Sequence, residues 1–112
     1  MWKNRITTLP DRLSGLSRLS ALDVSDNLLA TLPRSFSDLR SLRMCQLANN
    51  RLVGLPRTFG ALENLVELGL FNNRMQRLPS SLGSATSLQS LRIQANFLRE
   101  LPPTLSTLTR LG

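Results

Sequence analysis

Apolar and polar positions follow one pattern that recurs every 23 residues along the chain. In one complete unit the apolar positions are Leu22, Val24, Leu29, Leu32, Phe36, Leu39 and Leu42. Adding 23 to each number gives Cys45, Leu47, Leu52, Leu55, Phe59, Leu62 and Leu65, and two further steps continue the pattern to Leu111. A fixed period of this length predicts a stack of identical supersecondary units rather than a globule with one central core.

Each unit is predicted to contain a short strand, a turn and a return segment. The opening alternates apolar, polar and apolar residues, as in Leu22-Asp23-Val24, which is the period of a strand with one buried face. After the turn, apolar residues recur every three positions, which favours 3₁₀ or loosely helical segments over a long α-helix. A Leu-Pro pair such as Leu32-Pro33 starts each return segment, since proline fixes φ and lacks an N–H.

An asparagine follows each predicted strand at the point where the chain must turn. A buried amide costs free energy unless it is hydrogen-bonded. Stacked amides can bond the backbone of their own and adjacent coils, so the asparagines are predicted to form a structural ladder. Its members are Asn4, Asn27, Asn50, Asn73 and Asn96.

The pattern LxxLxLxxNxLxxLPxxLxxLxx resembles that of the leucine-rich-repeat family over residues 1–112. The 23-residue spacing with Leu-Pro is similar to the subclass found in Ras-group and Scribble-like intracellular proteins. The resemblance implies an α/β right-handed solenoid, with a curved parallel sheet on the concave side and short 3₁₀, helical or extended segments on the convex side. Cys45 and Ala85 are smaller than the expected leucine, which predicts small voids or local repacking.

The chain is expected to form a single array, residues 1–112, of about five units. The first and last units are incomplete, and neither end has the polar capping unit that solenoids need. This favours a fragment of a longer array, with self-association through the uncapped ends or marginal stability as the alternatives.

Composition favours an intracellular setting, with the cytoplasm as the expected location. The single cysteine cannot form an internal disulfide, and no Asn-x-Ser/Thr acceptor occurs. The first residues lack the apolar run of a signal peptide, and no stretch approaches the roughly 18 apolar residues of a membrane span.

Candidate catalytic chemistry is sparse, and we expect neither enzyme activity nor a cofactor or metal. The chain has no histidine, which excludes Ser-His-Asp triads and imidazole metal sites. Cys45 occupies a core-facing strand position, where a small buried hydrophobe is the expected role. Asp23 and Asp26 lie close together in sequence, but on an open sheet face with no predicted pocket for acid–base work.

Outward strand positions form four columns on the predicted concave face, because side chains alternate across a strand. Phe71, Met44, Trp2 and Arg92 are the predicted anchors, since interface hot spots favour aromatic side chains and arginine. Trp2 has the alternative role of shielding the incomplete first unit, and Met44 that of filling space beside Phe71. The full predicted partner-binding set is Trp2, Asp23, Asp26, Met44, Gln46, Asn49, Glu67, Phe71, Asn72, Arg92 and Gln94.

Charge distinguishes the predicted faces. The chain carries 14 Lys+Arg against 7 Asp+Glu, a net of +7, yet the concave columns hold Lys3 and Arg92 against Asp23, Asp26 and Glu67. The arginines therefore lie mainly on the edges and back. One basic edge repeats at the position after the ladder asparagine and consists of Arg5, Arg51 and Arg74.

The sequence favours a non-catalytic module that binds a protein partner on the concave face. The family resemblance implies a scaffold in intracellular signalling. One alternative is binding of nucleic acid or acidic membrane by the basic edge and back, although nucleic acid is disfavoured because the edge has only Phe97 as an aromatic neighbour. Another is the substrate-recognition fragment of a larger enzyme, such as a kinase or ubiquitin ligase.

Overall fold

The computed structural model describes residues 5–9 and 18–98, and this part of the chain is built from coils that alternate a strand with a 3₁₀ helix. The strands are β1 (Ala21–Asp23), β2 (Met44–Gln46), β3 (Glu67–Gly69) and β4 (Ser90–Arg92). The 3₁₀ helices, here called η1 to η3, are Arg34–Asp38, Phe59–Ala61 and Ser80–Ser84.

The strands form one parallel sheet in the order β1-β2-β3-β4. Leu22 pairs with Cys45, Cys45 with Leu68, and Leu68 with Leu91, so every partner lies 23 residues further along. The predicted parallel sheet with short 3₁₀ segments on the return legs is confirmed. Each strand begins one residue earlier than the apolar alternation indicates, although the N–H of Val24 still bonds the carbonyl of Gln46 at 3.0 Å.

The core runs along the whole stack instead of gathering at one centre. Leu29, Leu52 and Met75 repeat one position of the unit and are fully buried. On the return side, the rings of Phe36 and Phe59 stack with centroids 5.8 Å apart. Because each coil packs on its neighbours, the apolar stripe of one unit is covered only when the next unit is present.

The ladder asparagines join adjacent coils through hydrogen bonds on both ends of the amide. Nδ2 of Asn50 donates to the carbonyl of Leu47 in its own coil and to that of Val24 in the preceding coil, both at 3.1 Å. Its Oδ1 accepts the backbone N–H of Leu29, also in the preceding coil, at 3.0 Å. Equivalent bonds occur at Asn73 and Asn96, and in part at Asn27. Asn4 lies outside the described residues.

The residue before each of these asparagines adopts a left-handed backbone. Asp26, Asn49 and Ala95 have φ of 58°, and Asn72 has φ of 56°. This conformation is uncommon outside glycine, and asparagine and aspartate tolerate it better than other side chains. The left-handed residue reverses the chain so that the next side chain, the ladder asparagine, points into the stack.

Replacement of a ladder asparagine should strongly destabilise the protein. Asn50→Ala removes bonds to two buried carbonyls and one buried N–H, so we expect the free energy of unfolding to fall by about 2–4 kcal/mol. Urea denaturation followed by circular dichroism measures the change. Asn64→Ala is the matched control because its Nδ2 makes an exposed bond to the carbonyl of Arg40. Equal losses in the two variants would contradict the structural role of Asn50.

Two neighbouring return legs approach each other closely at Gly60. A Cβ atom there would lie 1.8 Å from the carbonyl oxygen of Ser81, a distance that no real contact reaches. The N–H of Gly60 also donates to the hydroxyl of Ser81 at 3.1 Å. At Gly54, by contrast, an added Cβ meets no atom within 4 Å. Gly60 is therefore required by the close packing of the coils, whereas Gly54 is not.

Alanine substitution at these two glycines should change stability in opposite directions. Gly60→Ala forces the coils apart and should lower the unfolding free energy by about 1–3 kcal/mol. Gly54→Ala restricts only the unfolded chain and should raise it by about 0.4–1 kcal/mol. Urea midpoints at constant slope provide the comparison. A Gly60→Ala protein as stable as the parent would show that the coil spacing is not fixed at this point.

Candidate functional site

The concave face consists of the outward side chains of the strands and of the residues that follow them. Strand pairing aligns Asp23, Gln46, Gly69 and Arg92 in one column, and Ala21, Met44, Glu67 and Ser90 in another. Between these two columns the side chains of Leu22, Cys45, Leu68 and Leu91 belong to the core or pack against it.

A shallow depression on this face surrounds the exposed ring of Phe71. Its volume is about 470 Å³, and Phe71 is 45% exposed. Around the ring lie two amides, one methyl group and one guanidinium, from Gln46, Gln94, Ala48 and Arg92. An accessible aromatic surface beside directional polar groups is the combination that protein interfaces use as an anchor.

The floor of the concave face is low because Gly69 has no side chain. A Cβ atom at this position would lie 2.0 Å from Oε1 of Gln46, so the Gln46 side chain lies across the glycine. The same Oε1 accepts the backbone N–H of Ala48 at 3.3 Å. Gln46 is thereby held against the sheet beside Phe71.

The β1 end of the face is structured by Asp23. Its Oδ1 accepts the backbone N–H of Ser25 at 3.0 Å and the hydroxyl of Ser25 at 2.6 Å. Ser25 is consequently only 8% exposed, although the alternation of side chains predicts an outward position. The Asp-x-Ser spacing, which suits a local side-chain turn, is the one signal that could have predicted this difference.

The other predicted contact residues occupy the surface with different degrees of exposure. Glu67 and Gln94 are exposed, whereas Met44 and Asp26 are half-buried. Asn49 and Asn72 are exposed and bond each other, Nδ2 of Asn72 donating to Oδ1 of Asn49 at 2.9 Å. Since Asp26, Asn49 and Asn72 all have positive φ, backbone geometry is sufficient to explain their residue types. Trp2 and Lys3 lie outside the described residues.

Charge is unevenly distributed across the described part of this face. Asp23 and Asp26 lie at the β1 end and Glu67 on β3, whereas Arg92 lies on β4 at the other end. The described face is acidic on balance, with negative charge at its β1 end and positive charge at its β4 end. A complementary partner would therefore present cations toward β1 and a carboxylate toward β4.

The predicted basic edge is accessible to solvent. Arg5, Arg51 and Arg74 are all exposed, and Phe97, which follows in the same column, is 65% exposed. The backbone N–H of Arg51 bonds the carbonyl of Leu29, and that of Arg74 bonds the carbonyl of Leu52, both at 2.8 Å. The backbone of this edge is therefore fixed, while its guanidinium groups extend outward.

Cys45 lies in the core and is unsuited to nucleophilic chemistry. Burial raises the pKa of its thiol far above the ordinary value, and the negative charge of Asp23 raises the pKa further. The thiolate is the reactive form of cysteine. Cys45 therefore remains a protonated thiol at neutral pH.

The described part of the chain contains neither a candidate metal site nor a candidate membrane-spanning helix. No group of three or more His, Cys, Asp or Glu side chains is placed to hold a metal ion within residues 5–9 and 18–98. No helix in those same ranges has the length and apolar character required to cross a membrane.

Comparison with known proteins supports the leucine-rich-repeat family. Residues 1–52 match the family described as Leucine rich repeat. A leucine-rich-repeat protein of Leptospira interrogans superimposes with a TM-score of 0.87 and 32% identity, over 97% of this chain and 28% of that protein. An internalin from Listeria monocytogenes gives 0.77 and 25%, over 97% and 31% of the two chains. A TDR receptor gives 0.82 and 32%, over 95% and 19%.

Together the sheet, the 3₁₀ segments and these neighbours establish a leucine-rich-repeat solenoid fold. The chain spans less than a third of the length of each solved protein described above. Comparison with curated proteins finds no match. These matches support a protein-interaction module in general and name no partner for the chain.

The thiol of Cys45 should be unreactive until the protein unfolds. In native buffer we expect negligible modification by a disulfide reagent such as DTNB, and complete modification in urea, because burial keeps the thiol protonated and inaccessible. The pKa of the Cys45 thiol is higher in the folded protein than in the unfolded chain. As the pH rises, the unfolded chain therefore loses this proton first, which lowers the free energy of unfolding. Stability should therefore fall as the pH rises above the ordinary value of 9.0, where the unfolded chain releases the proton. Rapid native modification would contradict the buried position.

Proposed function

We propose that this protein is a non-catalytic interaction module that binds a protein partner on its concave face. The observation that carries the proposal is the exposed ring of Phe71 within the depression lined by Gln46, Ala48, Arg92 and Gln94. A protein that exposes a large aromatic side chain on a rigid sheet has that surface available for burial against a partner.

Arg92 and the carboxylates contribute specificity to this proposed interface. Arg92 would bind a carboxylate group of the partner in a bidentate contact, since its guanidinium has a planar fork of donors. Asp23, Asp26 and Glu67 would repel acidic partners and attract basic ones. Asp23 also maintains the turn at Ser25, so Glu67 is the better position for a charge test.

We also propose, from the 23-residue Leu-Pro spacing, that the module is similar to Ras-group and Scribble-like proteins and acts as an intracellular signalling scaffold. The single cysteine and the lack of an Asn-x-Ser/Thr acceptor support a cytoplasmic setting. The distribution of the tagged protein between cytosol and culture medium tests the setting, and recovery in the medium alone would contradict it.

Truncation of Phe71 should separate a specific partner from background proteins. In quantitative affinity capture, a true partner is retained by the parent protein and lost with Phe71→Ala. With purified components we expect the dissociation constant to rise about 30-fold, as for a hot-spot side chain worth about 2 kcal/mol. Glu67→Lys should weaken a basic partner by a smaller factor, since a single exposed charge contributes less.

Phe97→Ala is the matched control for this experiment. Phe97 is also an exposed aromatic, but it does not line the depression around Phe71. Circular dichroism must show unchanged folding in both variants. If every captured protein responds equally to Phe71→Ala and Phe97→Ala, the concave face is not the binding surface.

A further inference from the structure

A second depression lies on the edge of the stack, away from the concave face. It has a volume of about 440 Å³ and is formed by the segments that follow the turn in two adjacent coils. We call it the edge groove. Its lining residues are Val53, Gly54, Leu55, Arg57, Gln76, Arg77 and Pro79.

The walls of the edge groove are fixed by backbone hydrogen bonds between coils. The N–H of Gln76 bonds the carbonyl of Val53 at 3.3 Å, and the N–H of Val53 bonds the carbonyl of Ala30 at 3.4 Å. Pro79 also lines the groove. Its φ is −67°, close to the −68° of the equivalent Pro33. A groove with a fixed backbone binds a ligand without a backbone-ordering cost.

The floor of the edge groove is apolar and open to solvent. Val53 is 46% exposed, and its equivalents in the neighbouring coils are Ala30 and Gln76. Leu55 is half-buried, whereas the equivalent Leu32 and Leu78 are buried. Val53 and Leu55 are thus both accessible at the same place, whereas the equivalent pairs are Ala30 with a buried Leu32 and Gln76 with a buried Leu78.

The rim of the edge groove is positively charged. Arg57 and Arg77 line it, and no carboxylate from residues 5–9 or 18–98 does. Arg51 and Arg74 precede Val53 and Gln76 by two residues, which in extended chain places them on the same side. All four arginines are exposed. The sequence contains no Asp or Glu in the stretches 51–62 and 70–98, so these cations have no acidic neighbour along their own segments.

From the apolar floor and the arginine rim we propose that the edge groove binds an acidic peptide segment that inserts an aliphatic side chain between the arginines. The floor would bury the aliphatic group, and the guanidinium groups would pair with flanking carboxylates. Among the described residues, no aromatic side chain lines the groove for base stacking, which favours a peptide over nucleic acid. The proposal is independent of the concave face.

A fluorescein-labelled peptide with a central leucine flanked by glutamates tests this proposal by anisotropy. Arg57→Ala/Arg77→Ala should weaken binding about tenfold, since each exposed ion pair contributes up to about 1 kcal/mol. Arg40→Ala/Arg43→Ala removes the same charge from exposed arginines outside the groove and should change affinity less than about twofold. Val53→Ser should weaken binding, whereas Val66→Ser, which alters the depression lined by Ser41, Arg43, Asn64 and Ser87, should not.

Further ligands show whether the groove binds an acidic peptide, a nucleic acid or a membrane. Peptides with glutamine in place of glutamate, or serine in place of leucine, should bind more weakly than the parent peptide. Absence of parent-peptide binding, or equal weakening by the two double-arginine variants, would overturn the proposal. Tighter, groove-dependent binding of single-stranded oligothymidylate, or of phosphatidylserine vesicles, would overturn it in favour of nucleic acid or membrane. Phe71→Ala should leave peptide binding unchanged, which separates this result from that of the concave face.

Discussion

The amide of the ladder asparagine is the interaction on which the rest of the stack depends. When the chain turns inward after each strand, it carries peptide groups into a region that water does not reach, and these groups must find partners. The Asn50 side chain supplies them by donating to Leu47 and Val24 and accepting from Leu29. A leucine at this position would fill the space but leave the peptide groups unpaired. The apolar ladder around it can therefore form only because a polar side chain is buried within it.

The geometry of the turn connects this buried amide to the surface. The left-handed residue that aims each asparagine inward is itself exposed or half-buried at the margin of the concave face. One constraint thus dictates two adjacent residues, the buried asparagine and its neighbour. Residue type on this face is free to vary mainly at positions in the strands or just after them, such as Gln46, Phe71 and Arg92, which have no comparable backbone requirement.

Periodicity allowed much of the fold to be predicted, because every unit repeats the same burial problem. The Leu22–Cys45–Leu68 register and the 3₁₀ return legs follow directly from the spacing of apolar residues. The candidate site was less accessible to sequence reasoning. Only the structure shows the Gln46 side chain lying across Gly69. The edge groove depends on Leu55 being half-buried while its equivalents are buried, a difference that identical consensus residues conceal.

Within the described residues, the cross-coil bonds of the asparagine ladder all run from one coil to the coil before it. Asn50 donates to Val24 and accepts from Leu29, and Asn73 donates to Leu47 and accepts from Leu52, so each amide completes the coil before it. The hydrogen bonding of each coil therefore depends on the coil that follows it in the chain. During synthesis a coil acquires its final hydrogen bonds only after the asparagine of the following coil has emerged, and growth from the N-terminal side leaves each newest coil dependent on the residues still to come.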